Sequence, residues 1–389
     1  MSGPTTERLR LALVTPRIVR GDGQGRVNYE IVRHALERGA DVTVITEALA
    51  PELESQERLR WIRFGYASLP TSLLRSQIFS LQSGRWLAKN ARRFDIVASN
   101  GSVTLATSDV NTAHFVHGAW SKSEAHTSRQ HRNAYGLYHR LLTRTHAAQE
   151  RIAYDRARRI VAISEQVKSQ LATLGVAEEK ISVIYNGVDT VEFAPGPPAR
   201  ADLGLPEGRF LALFAGDMTT PRKNLETVLA ALPYAPDVHL VVVGSLRKNP
   251  YPARVRALGL DDRVTFLGFR RDLPAIMRSV DAFVYPSRYE PLGLVVLEAL
   301  ASGLPVVTVR ATGASELIGP DSGFVIAEAG DYRGLAEALA RLASGGALRA
   351  RMSLGARRTA ERYTWNDMAE RYYTLYESLW RARNESHER

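Results

Sequence analysis

Short, almost wholly apolar runs alternate with helix-length amphipathic segments along nearly all of this chain. That rhythm predicts parallel strands covered by helices, because strands buried on both faces lose the in-and-out alternation of a half-exposed sheet. In the first half the runs are LRLALVT (9–15), DVTVIT (41–46), DIVAS (95–99), AHFV (113–116), RIVAIS (159–164) and ISVIYN (181–186). A turn-rich patch follows, EFAPGPPARADLGLPEGR (192–209), with four prolines and three glycines. The rhythm then restarts with FLALFAG (210–216), VHLVVVG (238–244), RVTFLG (263–268), DAFVYPS (281–287), LPVVTV (304–309) and GFVI (323–326). The expectation is an α/β chain of two tandem Rossmann-like domains rather than one long sheet. The first would span 1–191 and the second 192–363. A C-terminal helix at 364–389, opened by Thr364, would complete the first, since TWNDMAERYYTLYESLW is roughly 25 Å long as a helix.

Composition narrows the class. Of 389 residues, 45% are hydrophobic and 24% charged, as in an ordinary globular protein. There is no cysteine, which excludes disulfides and thiolate metal sites and fits a reducing compartment. The N-terminal MSGPTTERLRLALVTP has an apolar stretch of only about six residues before a proline, and no later run reaches the roughly 18 that a span needs. The expected location is cytoplasmic. The net charge of +10 lies wholly in the first 160 residues, with 15 basic and 11 acidic groups over 1–110 and 9 against 3 over 122–160. An anionic partner for that half and a merely solvated basic face both fit.

Four stretches carry chemistry. RGDGQGRVNYE (20–30) places Gly21, Gly23 and Gly25 between a strand and a helix, where backbone amides can approach a phosphate. The dinucleotide pattern G-x-G-x-x-G is not met, since Arg26 holds the third slot, although Glu47 stands where a ribose-binding acid would belong. His117 and Gly118 lie just past a strand end, where open α/β sheets bind ligands, or else form a plain surface turn. Arg222 and Lys223 stand before a helix whose dipole disfavours cations, which suits a diphosphate between them, unless both point into water. Finally, YEPLGLVVLEALASGLPVV (289–307) buries two carboxylates, Glu290 and Glu298, in an apolar run. Carboxylates are seldom buried unless something pairs with them. With Pro291 in a first helical turn and Gly303 and Pro305 ending the helix, amides near Leu292, Gly293 and Leu294 would cradle anionic oxygens. The two acids would then grip polyol hydroxyls at opposite ends of a nucleotide-sugar.

At these residues the chain resembles the family 4 retaining glycosyltransferases of the GT-B fold, whose E-x7-E signature matches Glu290 and Glu298. ISEQVKSQLATLGVAEEKISVIYNGVDTVEFAPG (163–196), GDMTTPRKNLETVLAAL (216–232) and DRVTFLGFRRDLPAIMRSVDAFVYPSRYEPLGL (262–294) resemble family passages too. The resemblance covers roughly 10–380 and is weakest over 50–160. It implies two domains facing each other across a cleft, with the C-terminal helix crossing back to the N-terminal domain. It implies that Gly23 sits near the donor diphosphate and that His117 approaches the transferred sugar. Lys223, helped by Arg222, would neutralise the leaving diphosphate. Glu290 would hold sugar hydroxyls, the backbone of Pro291, Leu292, Gly293 and Leu294 the phosphate, and Glu298 the ribose, with Phe269 and Gly244 lining the base pocket. Asp217 departs from the pattern, since many members carry arginine there.

The implied reaction is transfer of a hexosyl unit from a nucleotide-sugar to a hydroxyl acceptor (glycan, glycolipid or small molecule), with no cofactor and no metal. Replacing Glu290 or Lys223 by alanine is expected to abolish transfer and leave the melting temperature nearly unchanged. The alternatives are a GT-B sugar-nucleotide epimerase and a sugar-nucleotide-binding module without activity. A dehydrogenase lacks its glycine, and a glycoside hydrolase leaves the cation pair unexplained. The acceptor, lipid-linked or polysaccharide, should be recognised within 50–160, and nucleic acid is not the expected partner. The segment 121–159 reads as basic helix with Tyr135, Tyr138, Leu141 and Leu142 on or near one apolar side, to be laid against an anionic membrane or against the core.

Overall fold

The structure is a computed structural model that describes residues 8–387 apart from 66, 67 and 248. The chain divides into two compact units. Among the described residues, one comprises 8–122, 131–186 and 365–387, the other 123–130 and 187–364. The division between them thus falls at 186/187, five residues before the expected 191/192, and the short segment 123–130 groups with the second unit.

The first unit holds a seven-stranded parallel sheet. Its strands are β1 (Arg10–Val14), β2 (Asp41–Ile45), β3 (Leu59–Ile62), β4 (Ile96–Asn100), β5 (Ser108–Ala113), β6 (Ala157–Ala162) and β7 (Ile181–Val183), in the order β3-β2-β1-β4-β5-β6-β7. Successive side chains of β1 leave on opposite faces. Leu11 and Leu13 join one buried cluster, and Ala12 and Val14 join another with Phe79 and Leu87. Both faces therefore need cover, from α1 (Gly23–Glu37), α2 (Ser72–Asn90) and α3 (Ala134–Asp155) among others.

The second unit repeats the plan with β8 (Phe210–Ala215), β9 (Val238–Val243), β10 (Val264–Gly268), β11 (Ala282–Tyr285), β12 (Val306–Val309) and β13 (Gly323–Ile326), in the order β10-β9-β8-β11-β12-β13. In both sheets the order turns back beside the first strand, which opens a crevice at the carboxyl ends. Helices α4 (Leu225–Ala231) and α5 (Leu294–Ala301) start at that edge.

The last helix, α6 (Trp365–His387), belongs to the first unit. Its Met368, Tyr372, Tyr376 and Leu379 are buried in the same cluster as Leu11 and Val32. Complete burial of each such side chain is worth about 2 kcal/mol, so packing rather than its edge fixes this helix. The edge carries His34–Glu370 at 2.8 Å and Arg38–Glu370 at 2.9 Å, exposed enough to add little.

Three expectations change. The fifth strand is SDVNTA (108–113) and not AHFV, which lies almost wholly beyond its end. Among its buried polar groups, Asn111 Nδ2 donates to Gly101 O at 3.0 Å and Thr112 Oγ1 to Tyr372 OH at 3.3 Å, while Ser108 Oγ and Asn111 Oδ1 have no hydrogen-bond partner among the described residues. The edge strand β3 carries no long apolar run and is invisible to that criterion. Lastly, α5 begins at Leu294, so Pro291 lies outside its first turn.

Candidate active site

In the second unit, the loops after β8, β9 and β11 bring the expected residues together. Asn224 takes the left-handed conformation at φ 66°, which asparagine tolerates because its side chain can bond locally. Its Nδ2 donates to Pro286 O at 2.9 Å and Ala329 O at 2.7 Å, and its Oδ1 accepts from Thr227. That pin ends the loop and turns Arg222 and Lys223 inward. Lys223 Nζ contacts both Glu290 and the Tyr285 hydroxyl, Arg222 Nη1 stands 3.3 Å from Glu290 Oε2, and Tyr285 OH donates to the same oxygen at 2.9 Å. The side chains of Lys223 and Glu290 are only 13% and 12% exposed. Neither cation points into water.

Electrostatics follow from this convergence. Burial pushes the Glu290 carboxyl up, but the charges of Lys223 and Arg222, with hydrogen bonds from Lys223 and Tyr285, outweigh it and leave the pKa lowered. Lys223 is also lowered, by burial first, against the opposing pull of Glu290. The Tyr285 hydroxyl is held well above its ordinary value by burial and by the Glu290 charge, with a smaller push from Glu298. The cluster is thus a closed set of charges at the crevice. The expectation of an unchanged melting temperature for Glu290→Ala or Lys223→Ala does not survive, since each group is the other's counter-ion.

The backbone after Glu290 is clamped to the neighbouring loop. Glu290 N donates to Ala311 O at 3.1 Å, Gly313 N to Glu290 O at 2.8 Å and Ala314 N to Leu292 O at 2.8 Å. Gly293 then turns left-handed at φ 94°, where a Cβ would meet Glu290 Cγ at 3.2 Å. The first amides of α5 after this turn have no acceptor within the helix, as at every helix start, and that of Val296 bonds Gly293 O at 2.9 Å. Pro291 and Leu292 are buried, and Glu298 is half-buried on α5. The helix ends as expected: Gly303 at φ 75° follows Ala301, with Gly303 N bonded to Leu300 O and Leu304 N to Ala299 O. Gly244 packs against the loop after β8, where a Cβ would sit 2.3 Å from Gly216 O. Phe269, just past β10, is 73% exposed.

The first unit places its residues differently. Gly23 opens α1, capped by Asp22, whose carboxylate accepts from Gly25 N at 3.0 Å. A protein carboxylate therefore already occupies part of that helix end. His117 is held from below: its backbone N–H donates to Glu150 Oε2 at 2.9 Å and its ring Nδ1 to Oε1 at 2.6 Å. Its ring stacks on His146 at 4.8 Å. Burial, with His117 adding to it, pushes His146 down to about 4, so that ring is neutral above pH 5. A cavity of about 290 Å³ opens here, lined by His117, His146, Glu150, Ser102, Asn100 and Phe79 among others.

Residues 21–192 match the model of Glycosyltransferase Family 4, and 197–359 that of Glycosyl transferases group 1. The chain belongs to the family 4 glycosyltransferases. This glycosyltransferase is 31% identical over 227 residues to the lipopolysaccharide core biosynthesis glycosyltransferase LpsD of Rhizobium meliloti, covering 58% of this chain and 65% of that one. The chain thus spans less than two thirds of that relative. Its fold is that of the sucrose-phosphate synthase from Thermosynechococcus elongatus, with a TM-score of 0.77, 22% identity and coverage of 96% and 100%. HepE from Anabaena, solved with UDP-glucose, superposes with a TM-score of 0.72 at 21% identity, covering 96% and 99%. The architecture is GT-B.

Two residues of the glycosyltransferase escaped the sequence reading. Tyr285 lies inside the strand run DAFVYPS, although a phenol at the crevice end of a buried strand needs a partner. Glu150, 2% exposed within HAAQERIAY, is a buried carboxylate of the kind that drew attention to Glu298. Asp217, where many members carry arginine, has a local task. Its Oδ1 accepts from Thr219 N at 2.9 Å and Thr219 Oγ1 at 2.7 Å, closing the loop as a turn.

Proposed function

We propose that the chain moves a hexosyl unit from a nucleotide-sugar to a hydroxyl acceptor, with retention at the anomeric carbon and no metal ion. The observation that carries this reading is the convergence of Arg222 and Lys223 on Glu290 at the crevice of the second sheet. A relative of the same fold, solved with UDP-glucose, supports a nucleotide-sugar donor. As the glycosidic bond opens, positive charge grows on the sugar and negative charge on the departing phosphate. Lys223, Arg222 and the α5 amides meet that negative charge, and losing one such donor costs about 3 kcal/mol. Glu290 holds sugar hydroxyls and Glu298 the ribose, with Gly244 and Phe269 on the base side. The acceptor proton passes to the leaving phosphate oxygen, so no separate base is used. The cavity at His117 takes the acceptor.

The test is a thermal-shift screen with UDP-, GDP-, ADP- and dTDP-sugars. At least one should stabilise the protein and be slowly hydrolysed without acceptor, giving a sugar of unchanged anomeric configuration at a rate EDTA does not lower. An isomerised donor would instead mark an epimerase, and binding without turnover an inactive module.

A second reading concerns where the acceptor is met. Among the described residues no helix is long and apolar enough to cross a membrane. The outer part of α3, however, exposes Tyr135, Leu137 and Leu141 next to Arg140 and Arg144, and α2 exposes Leu74 nearby, where Leu73 N bonds Tyr138 OH. Of the expected stripe, Tyr135 and Leu141 are exposed, while Tyr138 and Leu142 are half-buried. We propose peripheral contact with an anionic membrane, in which each cation near the surface adds about 1 kcal/mol. Binding to phosphatidylserine vesicles should fall as salt rises and fall again in Leu137→Asp/Leu141→Asp. Absence of binding at low salt rejects it.

A further inference from the structure

Three donors, Lys223, Arg222 and Tyr285, converge on one oxygen of Glu290, and they are not equivalent. The two cations stand on long, flexible stems in the loop before α4. Tyr285 is 1% exposed in β11, its ring packed against Phe283 at 5.7 Å and Phe214 at 6.2 Å, so its hydroxyl cannot follow a ligand. Lys223 also lies over that ring, 5.1 Å from its centroid. In the reading above, a diphosphate draws both cations towards itself. Glu290 then loses its counter-ions at the moment it must hold sugar hydroxyls.

We infer that Tyr285 is the positioning residue of this site, the fixed donor that keeps Glu290 oriented and ionised when Lys223 and Arg222 leave it for the donor's diphosphate. The inference rests on the donor-site reading. The charged groups whose fields reach the cluster are Arg222, Lys223, Asp217 and Glu298, and the two acids would favour protonation of Glu290 once the cations are drawn off. A hydroxyl that stays protonated throughout the working pH range opposes this. Oxygen Oε2 is thereby committed to the protein and Oε1 is presented to the sugar.

Tyr285→Phe keeps the ring, its packing and the contact beneath Lys223 while deleting the hydroxyl. Profiles of kcat against pH report the donor-bound enzyme, and those of kcat/KM the free one. With the cations still in place, free Tyr285→Phe should resemble wild type, and the acid limb of kcat/KM should hardly move. The acid limb of kcat should rise by about one pH unit, and kcat should fall about tenfold with a donor KM within about twofold, as suits one lost hydrogen bond to a charged group. Calorimetry of UDP binding in two buffers of different ionisation enthalpy gives a readout without turnover. Tyr285→Phe should take up more protons on binding than wild type. An unmoved kcat limb with equal proton uptake overturns the inference, as does a lowered melting temperature with the acid limbs of kcat and kcat/KM shifted alike. If wild type binds UDP yet transfers nothing, the functional reading fails while proton uptake still decides the part played by Tyr285.

Discussion

Lys223→Ala should abolish sugar transfer and also lower the melting temperature. The first effect follows from removing a fixed cation at the crevice, about 10²–10³ in rate. The second follows from what remains. Glu290, 12% exposed, keeps Arg222 at 3.3 Å and Tyr285 at 2.9 Å but loses its nearest counter-ion. Breaking such a buried pair from one side costs about 3–5 kcal/mol, because a poorly compensated charge stays behind. The pH profile gives an independent check. Burial lowers the Lys223 pKa below its ordinary 10.5, so the cation is lost sooner as pH rises, and the alkaline limb of transfer should fall below the usual lysine range. Lys223→Arg should retain stability and carry that limb to higher pH. An unchanged melting temperature in Lys223→Ala would show that the pair is not formed in solution.

How much of this was legible in the sequence depends on the kind of signal. The apolar runs of β8, β9, β11 and β12 announced themselves because both faces of those strands are covered, leaving His239 and Thr308 as isolated polar positions. Strand β5 did not, since Asp109, Asn111 and Thr112 interrupt its apolar run, and the bond from Thr112 goes to Tyr372, a residue far away in the sequence. The start of α5 was misplaced because Pro291 favours a first turn, whereas the clamp on residues 311–314 and the left-handed Gly293 delay it. For the site, buried carboxylates were a sound guide to Glu290. The sequence could show that such a group needs partners but not which ones. For Arg222 and Lys223 the sequence offers a diphosphate or water, and the fold shows them neutralising Glu290. The Asp217 turn is local, whereas the Glu150 clamp on His117 joins α3 to a segment 33 residues earlier, a contact that no spacing encodes.

Glu290→Gln separates the two tasks of the cation pair. In the wild-type protein Lys223 and Arg222 must leave Glu290 before they can serve a diphosphate, so part of the binding energy is spent on that exchange. Glutamine keeps the volume and one acceptor but not the charge. Two neighbouring cations then lose the carboxylate paired with both, which should lower the melting temperature without ligand. A diphosphate restores the balance, so UDP should bind Glu290→Gln about tenfold more tightly than wild type, a gain of about 1.4 kcal/mol, and stabilise it correspondingly more. Transfer should nonetheless fall by about 10²–10³, because tighter ground-state binding does nothing for the developing charge on the sugar. The acid side agrees in sign. The Glu290 pKa is lowered in the fold, so its ionic contribution to stability is present above its ordinary value of 4.5 and is lost as pH falls through the depressed one. Glu290→Gln should lack that acid-dependent component. Equal or weaker UDP binding in this variant would mean that the cations do not exchange between carboxylate and diphosphate, and the donor site would have to be sought away from Glu290.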